Sequence, residues 1–506
     1  MSVRIGYKAS AEQFAPGELL AYAQRAESSG LEMVAISDHF QPWRHHGGHA
    51  PAAIAWLAAL GQTSTRAVLG TSVLTPTLRY HPSIVAQSFA TLAALSPGRV
   101  FLGIGSGEAM NETPATGAEF PGRKERRLRL AEAVELIRLL WSQERVDFEG
   151  DFYRTSKATI YDRPERPVPI YIAASGPLAA KLAGRAGDGF ICTSGKDPEL
   201  YKQLLAAVIE GANQTGRDPS AMRRMIEIKV SYDRDPDRAL EACRWWAALA
   251  LTPEQKEGIE DPIAMERLAD ENADRAHTRF IVSNDPAEVV QRIGAFLDLG
   301  FDDLVLHAPG PDQPRFIDQF SEDVMPALRA HAELTRLRYL TEILVWMGGR
   351  GTWPEATIAE QVDDSDTAKV SADLVQAEHE GLLERHANGL RLTELGWRVA
   401  QGFGEVLHED REPERAQRLH ALAREVAPQV ALDDDPAAVR ALAEILVWIG
   451  GDALWPEETV IATVGEDLRA RVIRDLDLAE RAGVIVRERG GVRLTDRGWA
   501  LAGSER

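Results

Sequence analysis

Short β-branched apolar runs alternate with longer amphipathic stretches through the first 330 or so residues of the chain. The runs Val3–Tyr7, Met33–Ser37, Ala67–Val73, Val100–Ile104, Val168–Ala173, Gly189–Thr193, Met225–Ser231 and Asp303–His307 read as buried strands. Between them Gly17–Ser28, Ser83–Leu95, Lys124–Ser142, Pro177–Ala186 and Ala287–Leu299 repeat their apolar residues at helical spacing. Eight strands, each followed by a helical pattern, predict an α/β fold of the (β/α)8 TIM-barrel type. A doubly wound open sheet is the competing reading, but no Gly-x-Gly-x-x-Gly turn follows the first strand. Two long interruptions, Val146–Asp162 and Asp235–Asp274, are expected to stand outside the barrel.

From about Glu333 the pattern changes and repeats itself. Leu340-Thr-Glu-Ile-Leu-Val-Trp346 recurs as Leu442-Ala-Glu-Ile-Leu-Val-Trp448, and Trp353-Pro354 recurs as Trp455-Pro456. Leu392-Thr393-Glu-Leu-Gly396-Trp397 recurs as Leu494-Thr495-Asp-Arg-Gly498-Trp499, all at one offset of 102 residues. A single offset without gaps marks a duplicated unit of about 65 residues. Each copy reads as helix, short helix near Thr357 or Thr459, longer helix, a strand pair turning at Asn388-Gly389 or Gly490-Gly491, and a last helix. That order resembles a winged helix-turn-helix. The expected domains are therefore 1–332 for the barrel, 334–404 for the first winged-helix-like repeat and 436–506 for the second, with a charged linker at Arg411–Asp435.

Composition narrows the function. With 44% hydrophobic and 26% charged residues the chain is a folded globular protein. Its 77 acidic and 57 basic residues leave a net charge of −20, which argues against a general nucleic-acid or anionic-membrane binder. Cys192 and Cys243 are the only cysteines, too few for a disulfide framework or a multi-cysteine metal site. The opening MSVRIGYKAS has no apolar signal core, and the longest apolar run, Ala52 to Leu60, falls far short of the roughly 20 residues that cross a bilayer. The expectation is a cytoplasmic protein without a membrane partner.

Candidate chemistry gathers at the C-terminal ends of the predicted strands, where barrels of this type keep their sites. The second strand ends Ser37-Asp38-His39-Phe40 and leads to Trp43; the third ends Ser72-Val73-Leu74-Thr75; the fourth ends Gly103-Ile104-Gly105-Ser106-Gly107-Glu108. The fifth ends Ser175-Gly176, and the sixth ends Thr193-Ser194-Gly195-Lys196. Each has a plainer reading: Asp38 as a helix cap, His39 as a structural histidine, Trp43 as core, Glu108 as a solvated carboxylate, the three glycines as turns. His45, His46 and His49 suggest a metal cluster, yet no carboxylate at ligand spacing accompanies them, so no metal is expected.

The segments Gly6–Pro16 (GYKASAEQFAP), Ser37–Arg44 (SDHFQPWR), Gly70–Thr77 (GTSVLTPT), Gly184–Lys196 (GRAGDGFICTSGK) and Leu251–Lys256 (LTPEQK) resemble the deazaflavin-dependent glucose-6-phosphate dehydrogenases. These are luciferase-like barrels that use coenzyme F420. The resemblance spans residues 1 to about 330 and leaves the repeats untouched. It implies oxidation of glucose 6-phosphate, or a related sugar 6-phosphate, to the lactone, with hydride passing from C1 to the coenzyme. It implies His39 as the proton-transfer residue, a role that suits a side chain whose ordinary pKa of about 6.5 lies near working pH. It implies Trp43 as the aromatic beside the sugar and Glu108 as the acidic partner at the reduced ring.

The same resemblance places Asp38, Thr75, Ser106, Gly107 and Asn111 around the deazaflavin, with a non-proline cis peptide at Ser72–Val73 behind it. Ser175, Gly176, Leu178 and Ala179 would take the coenzyme's phosphate at a helix start, where free N–H groups and the helix dipole favour an anion. Thr193, Lys196, Lys256 and Arg279 would hold the sugar phosphate; the plainer reading of these cations is solvated surface charge. A homodimer is implied as well. Another F420-dependent reductase or dehydrogenase, or a regulator that senses coenzyme or sugar phosphate through the barrel, is the alternative function. In the repeats, Lys369–Leu383 and Leu468–Ala482 would be the DNA-reading helices, but the acidic excess from Glu333 onward argues for an interaction module instead.

Overall fold

A computed structural model describes residues 3–256, 258–346, 352–361, 367–386, 389–393, 395–396, 442–443, 446, 455–464, 469–488 and 491–502. The linker 411–435, the expected domain limits at 404 and 436, Trp397, and the turn residues Asn388 and Gly490 lie outside the described residues. The chain separates into two compact units, Met1–Gln401 and Gly402–Arg506.

Eight parallel strands close on themselves in the first unit: Arg4–Ala9, Met33–Ile36, Val68–Thr71, Val100–Ile104, Ile170–Ala173, Gly189–Thr193, Arg223–Tyr232 and Asp303–His307. They pair in chain order, and the last returns to the first through Arg4↔Asp303 and Tyr7↔Leu306. A short further strand, Ile281–Ser283, extends the seventh at its outer end. Helices such as Pro16–Ser28, Pro82–Leu95, Arg123–Ser142, Pro177–Ala186 and Pro286–Asp298 cover the outside. Several start on one local device: Asp197-Pro198, Asp235-Pro236, Asp261-Pro262 and Asp285-Pro286 place an aspartate at the N-cap, accepting from the free N–H groups of the first turn, and a proline just inside it.

Alternation along the strands sorts their side chains into two populations. Ile226, Ile228 and Val230 face the helices, in the same apolar core as Ile5, Tyr7, Leu304 and Leu306. Met225 faces inward, packed with Met33, Ala35, Phe101, Tyr171, Ile191 and Val305 in a plug across the barrel. The inward positions on either side of that plug are charged. At the N-terminal end Asp303, fully buried, accepts from Arg4 at 2.7 and 2.6 Å and pairs with Arg223. Toward the C-terminal end the inward positions are Lys8, Glu227, Lys229 and His307.

Both expected interruptions leave the barrel. Val146–Glu149 and Arg154–Ala158 form an antiparallel hairpin. Residues 236–279 build five short helices with their own core of Cys243, Trp246, Ala247, Met265, Ala269 and Phe280, which also takes in Met110 and the flank of Trp43. That insertion stands over the C-terminal mouth. Beyond the last strand, one helix runs unbroken from Met325 to Trp346, so the division expected near residue 333 falls inside a helix.

The repeats fold alike. The first has helices Glu355–Gln361 and Thr367–His379 and a hairpin Leu383–His386/Gly389–Leu392; the second has Glu457–Val464, Arg469–Arg481 and Ile485–Glu488/Gly491–Leu494. A fourth element of the second copy, helix Asp496–Leu501, follows its hairpin. Gly389 and Gly491 sit at positive φ, and a Cβ on either would fall 2.1 and 2.0 Å from the carbonyl oxygens of Trp353 and Trp455. Only glycine fits where the hairpin meets the bridging tryptophan strand.

Candidate active site

His39 leaves the second strand and turns over the mouth, where Nδ1 stands 3.1 Å from Oε1 of Glu12, close but not aligned as a hydrogen bond. Glu12 is buried, and its second oxygen accepts from the Ser37 hydroxyl at 2.8 Å. Trp43 lies beside His39 with ring centroids 6.3 Å apart and planes 14° from parallel. The Lys256 ammonium sits 4.5 Å from the centre of the Trp43 ring, a cation–π contact brought in by the insertion. Asn111 organises this loop from the helix Ala109–Thr116: its Oδ1 accepts from the backbone N–H groups of Phe40 and Gln41 at 2.8 and 3.1 Å. Its Nδ2 donates to Glu108 at 3.4 Å. Glu108 itself is exposed at the start of that helix.

Asp38 takes the capping role. Its carboxylate is inaccessible to solvent, accepting from Ala53 N–H at 3.0 Å, the first residue of helix Ala53–Thr63, and from Arg79 at 2.8 Å. It anchors the loop that carries His39 from behind. Thr75 is buried at the end of the third strand, and the Ser72–Val73 peptide is cis. Ser106 and Gly107 are half-buried next to it. Gly107 has φ 82°, and a Cβ there would crowd the Thr75 methyl at 3.0 Å, so the backbone passes Thr75 more closely than a larger residue allows.

Ser175 and Gly176 precede helix Pro177–Ala186, whose first turn has no side-chain cap. The N–H groups of Leu178 and Ala179 are thus open to an anion at the end of the helix dipole. Leu178 is 61% exposed, as a residue on a ligand-facing rim would be. With Gly107, Thr75 and the Ser72–Val73 segment on neighbouring strands, these residues fit the seat of a flat ring with an anionic side arm.

Thr193, Lys196 and Arg279 meet at the end of the sixth strand. The Tyr201 hydroxyl donates to Thr193 O at 3.3 Å and accepts from Lys196 N–H at 3.0 Å, which fixes the loop. Gly195, at φ 79°, lies against the Arg279 backbone and Nε. Burial lowers the Lys196 ammonium, and Arg279 lowers it further. Burial pushes Lys256 down to about 8, with Glu108 opposing and Arg279 reinforcing the shift. Among the described residues Lys196, Lys256 and Arg279 make no ion pair, and the buried Arg279 Nε has no partner. They differ in this from Arg44 and Arg79 nearby, which are both paired.

Four residues absent from the sequence-based set stand under the mouth. Lys8 Nζ donates to Ser72 O and pairs with Glu227 at 2.8 Å. Glu227 also accepts from Ser72 Oγ at 3.4 Å and faces His307 Nδ1 at 3.4 Å. Burial would raise the Glu227 carboxyl, yet Lys8, His307 and Lys229 hold it well below the usual range. Lys229, 3% exposed, is pushed by burial to about 8. The clue in the sequence was Glu227-Ile-Lys229-Val-Ser231, a polar alternation on a strand otherwise read as buried.

A cleft of about 700 Å³ lies to one side, between the insertion and the loops after the seventh and eighth strands. Its Arg44, Arg238, Arg244 and Arg315 are each paired with a carboxylate, so it offers no free cation to an anion. His46 there pairs with Glu266 at 2.9 Å. Among the described residues no three His, Cys, Asp or Glu side chains are grouped to hold a metal, and no helix is long and apolar enough to cross a membrane.

Comparison with known proteins bears on this site. The family profile described as luciferase-like monooxygenase matches residues 1–303. A protein of Intrasporangium calvum named F420-dependent glucose-6-phosphate dehydrogenase is 60% identical over 331 residues, 65% of this chain and 99% of the relative. A protein of the same name from Kribbella flavida is 57% identical over the same length, with the same coverage. Among solved structures, an F420-dependent secondary alcohol dehydrogenase in complex with an F420–acetone adduct superposes with a TM-score of 0.62 at 37% identity, over 65% of this chain and 99% of that one.

Proposed function

Because the chain belongs to the luciferase-like monooxygenase family, we propose that its barrel oxidises glucose 6-phosphate, or a related sugar 6-phosphate, to the lactone with coenzyme F420. One observation carries the choice of substrate: Lys196, Lys256 and Arg279 are unpaired cations beside the His39–Trp43 pair. A phosphate monoester, close to a dianion at neutral pH, supplies the charge they lack. An uncharged secondary alcohol would leave all three uncompensated.

When bound, the oxidised deazaflavin accepts the hydride from C1. The remaining work falls to the protein. Ser175, Gly176, Leu178 and Ala179 receive the coenzyme's phosphate, while Thr75, Ser106, Gly107, Asn111 and the Ser72–Val73 segment seat its ring; Asp38 acts through the loop it anchors. Thr193, Lys196, Lys256 and Arg279 orient the sugar by its phosphate. The His39 Nε2 takes the proton from the anomeric hydroxyl as the C1–H bond breaks, with the buried Glu12 carboxylate 3.1 Å from Nδ1 on the far side of the ring. Trp43 presents its ring face to the same region. Glu108, exposed on the rim, would pass a proton from solvent to the coenzyme to balance the hydride. The C-terminal repeats are read as winged helices serving an interaction role, and the barrel as one half of a homodimer in the cytoplasm.

The test is spectroscopic. Oxidised coenzyme F420 loses its visible absorbance when the protein and glucose 6-phosphate are added, and NAD or NADP does not substitute. Turnover with NADP, or no bleaching with any sugar 6-phosphate, overturns the reading.

A further inference from the structure

We infer that Lys229 is a further substrate-binding residue, its ammonium facing the interior of the barrel mouth to donate to the phosphorylated end of the sugar beside Lys196 and Arg279. The inference rests on the function proposed above and adds a residue to it.

Strand geometry sets the direction of the side chain. Met225 belongs to the inward plug while Ile226, Ile228 and Val230 belong to the outer core, so Glu227 and Lys229 point inward on successive pleats toward the mouth. The Lys229 N–H donates to the buried Ser194 hydroxyl at 2.8 Å, which ties its backbone to the loop that carries Lys196. Among the described residues the ammonium has no hydrogen bond and no ion pair. Glu227, the nearest candidate on its own strand, spends its oxygens on Lys8, the Ser72 hydroxyl and the side facing His307. Besides Glu227, the charges that act on Lys229 are those of Arg279, Lys196 and Lys8.

Charge arithmetic makes the point sharper. Lys8 and Glu227 neutralise one another. Among the described residues that leaves Lys196, Lys229, Lys256 and Arg279 against Glu12 and Glu108, a surplus that a dianion relieves. A buried ammonium without a partner is costly, and the cost is recovered where a ligand supplies the missing anion. Held near its charging point, Lys229 also takes up a proton when phosphate arrives.

The experiment measures binding of glucose 6-phosphate and of glucose by calorimetry on the full chain, with Lys229→Met and Lys229→Gln beside wild type. Repeating it at pH 8 in buffers of different ionisation enthalpy counts the protons taken up. The expected result is an affinity for glucose 6-phosphate lower by about tenfold or more, weak glucose binding left unchanged, coenzyme affinity retained, and less proton uptake at pH 8. Wild-type affinity in a folded variant overturns the assignment. So does equal loss of coenzyme and sugar-phosphate binding, or a failure of both variants to fold, since either makes Lys229 part of the scaffold. If wild type itself binds no sugar phosphate, the proposed function fails, an outcome distinct from wild-type binding that Lys229 does not affect.

Discussion

The barrel mouth and the C-terminal repeats handle their charged side chains in opposite ways. In the repeats, recurring polar residues are paired at the surface of the fold: Arg385 bonds Glu355 and Glu378, and Arg487 bonds Glu457 and Glu480 at the matching positions. Thr393 and Thr495 each donate to a carbonyl at the hairpin base and accept from the N–H of Gly396 and Gly498. The buried apolar positions also correspond, Ile358 with Val460, Leu374 with Leu476, Leu390 with Val492. What the two copies share is accounted for by folding. At the barrel mouth, by contrast, Lys196, Lys229, Lys256 and Arg279 have no ion-pair partner among the described residues. Surplus charge without an ionic partner therefore points to a ligand, while repetition of paired charge points to architecture.

That contrast breaks most visibly at His39. His39→Ala is expected to lower kcat by about 10²-fold or more, the usual share of a general base, with coenzyme affinity little changed. A variant with wild-type kcat would make His39 a structural partner of Glu12 and remove the catalytic end of the comparison. Next in size are the cations. Lys256→Ala or Arg279→Ala should cost about 1.5–3 kcal/mol in kcat/KM for glucose 6-phosphate, typical of a charged hydrogen bond, and spare unphosphorylated glucose. Equal losses on both sugars would mean that the pocket lies elsewhere.

Acidity separates function from stability at the same groups. Lys229 and Lys256 titrate near 8 in the fold against about 10.4 for a free lysine. Above pH 8 they lose the charge that phosphate needs, so affinity should fall by up to about tenfold per pH unit per group. The phosphate, with its second pKa near 6, is already a dianion there. Stability runs the other way: between about 8 and 10.4 the unfolded chain binds more protons than the folded one, so these lysines destabilise the fold less as pH rises. KM and the denaturation midpoint should therefore both rise with pH over this range, affinity falling while stability grows.

In the repeats the largest single effect should be steric. Gly389→Ala forces a Cβ onto the Trp353 carbonyl at positive φ and should destabilise the first repeat by about 1 kcal/mol or more. Bleaching of F420 should proceed at the wild-type rate. A matching loss of activity would tie the repeat to the site and erase the distinction.

The strands were legible because a barrel wall is apolar on its outer face. Val100–Ile104, Gly189–Thr193 and Asp303–His307 stand where the sequence pattern places them, and the phosphate helix starts at Pro177 as expected. The repeats were legible from their single offset. Glu12 was hidden because closure of the barrel, not sequence distance, brings it to His39. Lys8, Glu227, Lys229 and His307 were hidden for a different reason. A polar residue on alternate strand positions ordinarily faces water, but in a closed barrel that face is the interior. Asp38 was legible as polar, and its bonds to Ala53 and Arg79 show that it anchors the loop of His39.

The smallest expected effect is the most demanding test of the comparison. If the repeats carry no chemistry, a fragment ending near Ala332 should keep wild-type kcat and KM. The cut passes through helix Met325–Trp346, but the residues of that helix buried against the barrel core, Met325, Leu328 and Ala332, all remain. The residues lost include Leu337, Leu340 and Leu344, which are buried beyond that point. All eight strands and every residue assigned to coenzyme, phosphate and proton transfer precede the cut. The released repeats, acidic overall, should not shift duplex DNA at sub-micromolar concentration in roughly 150 mM salt, because phosphate contacts dominate such affinity. A fragment that folds but bleaches F420 slowly would place part of the repeats' role at the mouth itself, and a tight gel shift would give them a function of their own.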